Sequence, residues 1–375
     1  MQKRRGLSGL LIVFVFLLVV SPWAVRWIQR TFLSPELILQ VEREVAIPYS
    51  GNWDILPGND GVFLIRNAEI RYITPRQEDD WAFGTETLVP VAGGNREHIY
   101  LMESSPRYLL RVNEAGHMLY QQAANRSAES MSVGDENYLV LQHPPENRLT
   151  PFSILDPDGR VMGSILLTEG EILSTVIDSR QNRVFISVLR LKGNGYETVL
   201  LGYDLQGVLQ TSKSFADQVM MDMTVNREGE LALLTDQALL LYTITMEEVW
   251  RHPVEPYYLS RHDDRENWVL AHRREYYQEA LPSETSAETV LTHINLNRRE
   301  VTVFVDSQDI SALTVQGDRI LTRTPRGIKL FRQGGNVVDE QAFQDEVEEA
   351  FLLEGNRIAV QRRGQIVFYQ LRTDN

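Results

Sequence analysis

A short pattern of β segments and tight turns recurs eight times along the chain, from Val62 to the C-terminus. The last two copies align when one is shifted by 38 positions, which places Gly317 on Gly355 and Ile320 on Ile358. Repetition at roughly 40 residues, with several strands in each unit, is typical of β-propellers. One such sheet alone leaves its faces and edges exposed, so the copies must stack on one another.

The second strand of each copy is the most regular one, and it fixes the number of copies. Each is preceded by a turn rich in Gly, Asn or Asp, and each then alternates or runs apolar as a buried strand does. A third strand follows, and several copies continue into a fourth. The sequence therefore predicts an all-β, eight-bladed β-propeller, with seven blades as the alternative if the first copy is irregular. The second strands begin at Val62, Ile99, Tyr138, Val184, Leu231, Trp268, Ile320 and Ile358.

The eighth copy ends at Asn375 after only three strands, which would leave an unpaired edge where the ring closes. Apolar side chains alternate between residues 37 and 47, interrupted only at Arg43. We therefore expect about Leu39 to Ile47 to supply the missing outer strand. Residues 34–36 read Ser-Pro-Glu, which is typical of a helix start, so a short helix there is the competing interpretation.

A membrane anchor is predicted at the N-terminus. From Gly6 to Val25 there are 20 residues without a charge, and a helix of about 20 residues spans a bilayer core of about 30 Å. Three basic residues precede this span at positions 3–5, which favours a cytoplasmic N-terminus and an extracytoplasmic main domain, although Arg26 and Arg30 on the far side weaken the asymmetry.

The domain organisation follows from these patterns. We expect a cytoplasmic stub and transmembrane anchor over residues 1–28, a linker with the candidate ring-closing strand over 29–48, and the propeller over 49–375. A cleaved signal peptide is the alternative to the anchor, but the small-x-small cleavage pattern is missing and Pro22 lies near the point where it would be needed.

Composition excludes several classes of partner and chemistry. The net charge is −14, and beyond the first 30 residues 32 basic residues face 51 acidic ones, so nucleic acid is not an expected partner. There is no cysteine, which rules out disulfides and cysteine zinc sites. No Walker loop, GxGxxG, GxSxG or HExxH pattern is present, and we predict neither catalytic residues nor a cofactor.

Two polar clusters could hold a metal ion, and both have a simpler interpretation. Asp156 and Asp158 offer two carboxylates in LDPDGR, a sequence that turn formation alone explains. The sequence HDDREN begins at His262, with His252 and His272 ten residues to either side, but it falls where other copies have their first hairpin turn. We therefore predict no metal site.

Corners such as LDPDGRV and YDLQGVL, together with the stretch YTITMEEVWRHP that contains Trp250, resemble the repeat of quinoprotein-like, or WD40-like, bacterial β-propellers. The resemblance covers about Gly51 to Thr373. The architecture is similar to that of uncharacterised membrane-anchored propeller proteins of Gram-positive bacteria. Most copies lack the tryptophan that closes the quinoprotein repeat, and Tyr120 takes its place in one. Quinoprotein dehydrogenases hold their cofactor over calcium beside paired cysteines, which this chain does not have.

Departures from the repeat indicate where a partner binds. Three connections from second to third strand are long, at about 142–150, 191–197 and 275–288, and in a propeller these share one face with the links between blades. Length alone is weak evidence, because loops tolerate insertions. Aromatic residues beside charges are favoured in protein interfaces. The candidate partner-binding residues are Tyr196, Arg273, Arg274, Tyr276, Tyr277 and Glu279.

We therefore expect a protein-binding or assembly scaffold of the cell envelope, held at the membrane by its N-terminal helix and bound to one or more envelope proteins. The alternative is a small-molecule sensor or hydrolase-like enzyme with a polar site at the propeller axis. That alternative requires carboxylates or histidines that converge on the axis.

Overall fold

In a computed structural model of the protein, the described residues are 37–47, 53–85, 88–89, 91–103, 107–168, 170–263, 266–277 and 288–373. They form eight sheets of four strands each, which confirms the prediction of an all-β, eight-bladed propeller. The chain divides into two compact units. The larger, residues 41–370, contains most of every blade, and the described part of the smaller is residues 37–40 and 371–373, the ends of two strands.

Blades 1 to 4 follow one another along the chain, and the four strands of each pair in sequence order. Blade 1 contains β2 (Asp54–Pro57), β3 (Val62–Arg66), β4 (Glu69–Ile73) and β5 (Trp81–Gly84). Blade 2 contains β6 (Val91–Gly94), β7 (His98–Met102), β8 (Tyr108–Asn113) and β9 (Met118–Ala123). Blade 3 contains β10 (Ser130–Val133), β11 (Leu139–Gln142), β12 (Thr150–Leu155) and β13 (Val161–Leu167). Blade 4 contains β14 (Glu171–Asp178), β15 (Arg183–Lys192), β16 (Gly195–Tyr203) and β17 (Leu209–Ala216).

Blades 5 to 7 repeat the arrangement, and blade 8 takes its fourth strand from the start of the described chain. Blade 5 contains β18 (Met220–Val225), β19 (Leu231–Thr235), β20 (Ala238–Tyr242) and β21 (Glu248–Pro253). Blade 6 contains β22 (Leu259–His262), β23 (Asn267–Arg273), β24 (Thr289–Asn295) and β25 (Glu300–Asp306). Blade 7 contains β26 (Ala312–Gln316), β27 (Arg319–Thr324), β28 (Gly327–Arg332) and β29 (Val337–Ala342). Blade 8 contains β30 (Val347–Leu353), β31 (Arg357–Arg362), β32 (Gln365–Thr373) and β1 (Leu37–Ala46).

Three short 3₁₀ helices lie in the connections of the described chain, at Gln77–Asp79, Asp135–Asn137 and Arg274–Tyr276. None of the helices in this part of the chain is long and apolar enough to cross a bilayer. The predicted span from Gly6 to Val25 and the predicted helix start at residues 34–36 lie outside the described residues.

The first strand of each blade lies innermost, because first strands contact one another at most junctions between neighbouring blades. Strand β6 contacts β10, β10 contacts β14, and β14 contacts β18; likewise β22 contacts β26, and β26 contacts β30. Strand β30 of blade 8 also contacts β2 of blade 1, so the last blade meets the first. The inner strands therefore surround a common axis.

The hydrophobic core lies in the second and third strands, which are covered on both faces by neighbouring blades. All residues of β19, β20 and β24 are buried, whereas outer strands such as β9 alternate between half-buried and exposed positions. Burial on both faces requires continuous apolar runs rather than strict alternation. This is why the second strands were the clearest signal in the sequence.

An aromatic side chain on the outer strand of one blade packs on a glycine in the next blade's turn. The Trp81 ring covers Gly116, which has a φ of +78°, and its Nε1–H donates to the backbone oxygen of Glu114 at 2.6 Å. The left-handed backbone and the close ring both favour glycine there. The same arrangement recurs with Tyr120 on Gly159 and Phe304 on Gly335. Aromatic docking therefore persists at junctions that lack the repeat's tryptophan.

Strand β1 lies next to β32 in blade 8, where the sequence predicted a strand over about Leu39 to Ile47. The guanidinium of Arg43 donates two hydrogen bonds to the carboxylate of Asp80, at 2.9 and 2.6 Å, and a third to the backbone oxygen of Thr74. Both acceptors belong to blade 1. Beyond the strand, the buried Ile47 packs in a cluster that includes Phe368 of blade 8. Strand β1 and the residue that follows it therefore contact both blade 8 and blade 1, the two blades that meet where the ring closes.

Candidate functional site

Four antiparallel strands in consecutive order place the connections of each blade on two faces. We call the loop face the one formed by connections from second to third strand, such as residues 143–149 and 274–288. The turn face is formed by connections from first to second strand, such as 134–138 and 226–230, and from third to fourth, such as 204–208. Those predicted partner-binding residues that the structure describes belong to the loop face, in blades 4 and 6.

In blade 4 the predicted loop at 191–197 is instead a β-hairpin. Strands β15 and β16 are 10 and 9 residues long and pair up to Lys192 and Gly195, so that only Gly193 and Asn194 turn the chain. Gly193 has a φ of +61°, which suits a two-residue hairpin turn. The long connection expected here is therefore reduced to a two-residue turn, because the pairing continues past the core.

The end of this hairpin exposes a large apolar side chain. Leu191 is 90 % exposed and lies directly across the strand pair from Tyr196. Lys192 forms an ion pair with Glu197 at 2.9 Å, which also bridges the two strands. Leu191 was not among the predicted partner-binding residues, and it adds an apolar contact beside the predicted Tyr196.

In blade 6 the predicted residues have different surroundings. Tyr276 is 53 % exposed at the end of the third 3₁₀ helix, whereas Tyr277 is only 8 % exposed and packs edge-on against the His272 ring, with centroids 5.3 Å apart. The guanidinium of Arg273 lies 5.7 Å from the Tyr258 ring centre. The exposed Tyr276 is therefore available to a partner, while the buried Tyr277 holds the base of the insert.

The structure does not bring all the predicted residues together. Tyr196 belongs to blade 4, and Arg273, Arg274, Tyr276 and Tyr277 belong to or follow β23 of blade 6, so blade 5 lies between the two groups. Glu279 lies outside the described residues. The backbone N–H of Arg274 donates to the backbone oxygen of Glu288 at 3.1 Å, which closes the base of the blade 6 insert.

His252, His262 and His272, which lie ten residues apart in the sequence, occupy two separate places in the structure. His252 and His272 line a cavity of about 170 Å³ beside blades 5 and 6. His272 is 1 % exposed, its Nδ1 lies 3.1 Å from the backbone oxygen of Pro256, and burial lowers its pKa. A buried, neutral imidazole of this kind fills the core rather than carrying charge.

His262 lies at the propeller axis, at the end of β22. The turn that follows it is held by Asp263, whose Oδ1 accepts from the backbone N–H of Glu266 and of Asn267 at 2.8 and 2.7 Å. Asp156 accepts in the same way from Asp158 and Arg160. Both acidic clusters thus make turns. No group of three metal-ligating side chains occurs within the part of the chain that the structure describes.

A polar cavity of about 290 Å³ lies among the inner strands, near the turn face. Its lining includes Asp178 at the end of β14, Asp222 on the adjacent β18 and His262, together with the hydroxyls of Ser174 and Thr175. The Oδ2 of Asp222 lies 3.4 Å from Nε2 of His262. Neither aspartate was predicted from the sequence. The feature that could have identified them is a carboxylate in a mostly apolar first strand, close to the hairpin turn.

These features define an eight-bladed β-propeller, and solved structures share the propeller fold. BamB from Moraxella catarrhalis matches with 10 % identity and a TM-score of 0.54, over 90 % of this chain and 99 % of that one. The C-terminal WD40 domain of Sif2 matches with 10 % identity and a TM-score of 0.60, over 89 % of this chain and 99 % of that one. At such low identity the likeness shows the fold alone.

The chain belongs to the family of unknown function DUF5711, whose model matches residues 38–371. That match begins one residue after the start of β1 and ends within β32, so it contains all eight blades. Among curated proteins, none matches the sequence.

Proposed function

We propose that this protein is a binding scaffold for other proteins in the cell envelope, anchored by its N-terminal segment with the propeller outside the cytoplasm. The observation that carries the proposal is the projecting hairpin of blade 4. There Leu191 is 90 % exposed and contributes nothing to the core, while Tyr196 lies across from it. Aromatic side chains are enriched at protein interfaces, and here one lies beside an exposed apolar residue on a rigid element.

Tyr276 of blade 6 is a second exposed aromatic residue on the loop face, separated from the hairpin by blade 5. Single exposed apolar residues are common on protein surfaces, so the proposal depends on the pairing of Leu191 with Tyr196 at the end of one rigid hairpin. The partner that fits is a protein with an apolar patch, since Leu191 carries no charge and the neighbouring Lys192 and Glu197 neutralise each other.

The proposed location follows from the N-terminal sequence. The uncharged stretch from Gly6 to Val25 has the length of a membrane span and follows a basic start. Eleven residues, 26–36, separate it from the first described strand, and an extended chain covers at most about 3.5 Å per residue. The propeller would therefore stay within roughly 40 Å of the membrane surface.

The absence of cysteine allows one experiment to test both parts of the proposal. In intact cells, full-length protein with the single substitution Leu191→Cys is treated with a membrane-impermeant maleimide that carries a photoreactive group. We expect the cysteine to be labelled from outside, and illumination to crosslink the protein to a specific partner. A labelled protein that captures nothing would contradict the binding surface, and a protein that is not labelled would contradict the location.

The matched control is Val208→Cys, because Val208 is 56 % exposed in the same blade but belongs to the turn face. It should be labelled equally and should not capture the partner. Adding Tyr196→Asp to the Leu191→Cys protein should leave labelling unchanged and reduce capture several-fold, since a charge would enter the apolar contact. Equal capture from positions 191 and 208 would show that the hairpin is not the binding site.

A further inference from the structure

The polar cavity of about 290 Å³ among the inner strands, called the axial cavity from here on, is lined by the buried carboxylate of Asp178. Only one oxygen of this carboxylate is hydrogen-bonded to described residues. Asp178 is 3 % exposed. Its Oδ1 accepts from the backbone N–H and the Nε of Arg180, at 3.2 and 3.4 Å. Its Oδ2 is buried and has no hydrogen-bond partner among the described residues. A buried oxygen without a donor is costly, so such an oxygen beside a cavity indicates a binding partner from outside the chain.

A second carboxylate faces the same cavity from the adjacent inner strand. Asp222 on β18 accepts from the backbone N–H of Met223 at 2.9 Å and lies beside His262, and its side chain is 33 % exposed. No lysine or arginine lines this cavity, while the hydroxyls of Ser132, Ser174 and Thr175 do. The lining therefore offers two carboxylates and several hydroxyl acceptors to a donor group.

These observations assign the cavity to a positively charged ligand group with several N–H donors. We infer that the axial cavity binds the ammonium group of a small molecule, held by Asp178 and Asp222. An ammonium group supplies three donors, enough for Asp178 Oδ2, Asp222 and one hydroxyl. A volume of about 290 Å³ lies at the lower end of small-molecule pockets, about 300 Å³, and suits a ligand of a few heavy atoms.

A neighbouring cavity bears on which amine would bind. It has a volume of about 390 Å³, shares His262 with the first cavity and is lined by Arg96, Arg227 and Arg261, together with Asp263 and Glu266. Asp263 is used in its own turn, and Glu266 pairs with Arg227 at 3.4 Å. An amino acid and a simple diamine share the ammonium chemistry, and only the amino acid carries a carboxylate that these arginines would attract.

Calorimetric titration of the full-length protein with putrescine, alanine and propionate tests this inference. We expect putrescine or alanine to saturate one site, and propionate not to bind. Binding of both amines with equal affinity would mean that the ammonium group alone is recognised, and tighter binding of alanine would mean that the arginine-lined cavity holds its carboxylate. Failure of both amines to saturate at 10 mM would overturn the inference and leave Asp178 hydrated by water.

Substitution at each carboxylate locates the site. Asp222→Asn and Asp178→Asn preserve shape and remove charge, and each should weaken amine binding at least tenfold. Because Asp178 is buried, its variant could fail to fold; the half-exposed Asp222 then provides the deciding measurement. Asp158→Asn, a turn carboxylate with a side chain 69 % exposed, is the matched control and should bind as the wild type does. Undiminished binding by Asp222→Asn would overturn the assignment.

Discussion

Removing residues 1–47 is expected to lower the free energy of unfolding of the propeller by about 5 kcal/mol. The deletion removes strand β1 and exposes the edge of β32. It also removes the buried Ile47, worth about 1.5–3 kcal/mol, and two hydrogen bonds between charged groups, from Arg43 to Asp80, worth about 1.5–3 kcal/mol each. Urea denaturation followed by tryptophan fluorescence measures the loss.

A protein that begins at residue 37 is the control, because it lacks the predicted anchor but keeps β1. It should unfold at a urea concentration close to that of the full-length protein in detergent. The protein that begins at residue 48 should also associate or aggregate, since an open strand edge pairs with other chains. Equal stability of the two truncated proteins would contradict ring closure by this strand.

The substitution Lys329→Met is expected to destabilise the protein by about 3–5 kcal/mol. Lys329 on β28 is 6 % exposed, and its Nζ lies 2.8 Å from the carboxylate of Asp306 in blade 6, which is 2 % exposed. Without the lysine, that carboxylate stays buried with its charge uncompensated. Urea denaturation of the variant measures the effect.

Burial by itself lowers the pKa of Lys329, but hydrogen bonds to Asp306 and Glu340 outweigh it and raise the pKa above the usual value of 10.5. A raised lysine pKa gives stability that is fully present below about pH 10.5, the unfolded pKa, and is lost as the pH rises through the folded pKa. Because the lysine is charged at both pH 6 and pH 9, its titration should not change the loss of stability that Lys329→Met causes between these two values.

Two further variants separate the buried charge from simple packing. Glu340 also contacts Lys329, at 3.0 Å, but its side chain is 44 % exposed, so Glu340→Gln should cost less than about 1 kcal/mol. The double variant Asp306→Leu/Lys329→Met should recover most of the lost stability, because no buried charge remains. A double variant as unstable as the single one would assign the loss to packing.

The sequence predicted the blades through their second strands. Two of the predicted starts, Val62 and Leu231, are the observed ones, and the others fall within one residue, as with Ile99 against an observed start at His98. These strands are buried on both faces, so their apolar runs are long and continuous. The inner strands could not be located in the same way. Strand β10, for example, alternates serine with apolar residues, and none of its side chains is fully buried.

The candidate sites were harder to predict, because exposure and burial of single side chains depend on tertiary packing. Gly193 and Asn194 are a hairpin turn pair, and this signal could have identified the hairpin that exposes Leu191. Nothing local distinguishes exposed Tyr276 from buried Tyr277. Asp178 and Asp222 lie 44 residues apart in the sequence, and they line one cavity only because adjacent blades place their inner strands side by side.

Hydrogen exchange of the intact full-length protein, followed by mass spectrometry, tests the closed ring most directly. The backbone of residues 41–46 should be protected as much as that of other outer strands, such as residues 118–123, because β1 pairs with β32 along one edge. Exchange of residues 41–46 at the rate of an unstructured chain, while the other blades stay protected, would contradict the account of an eight-bladed ring sealed by its first strand.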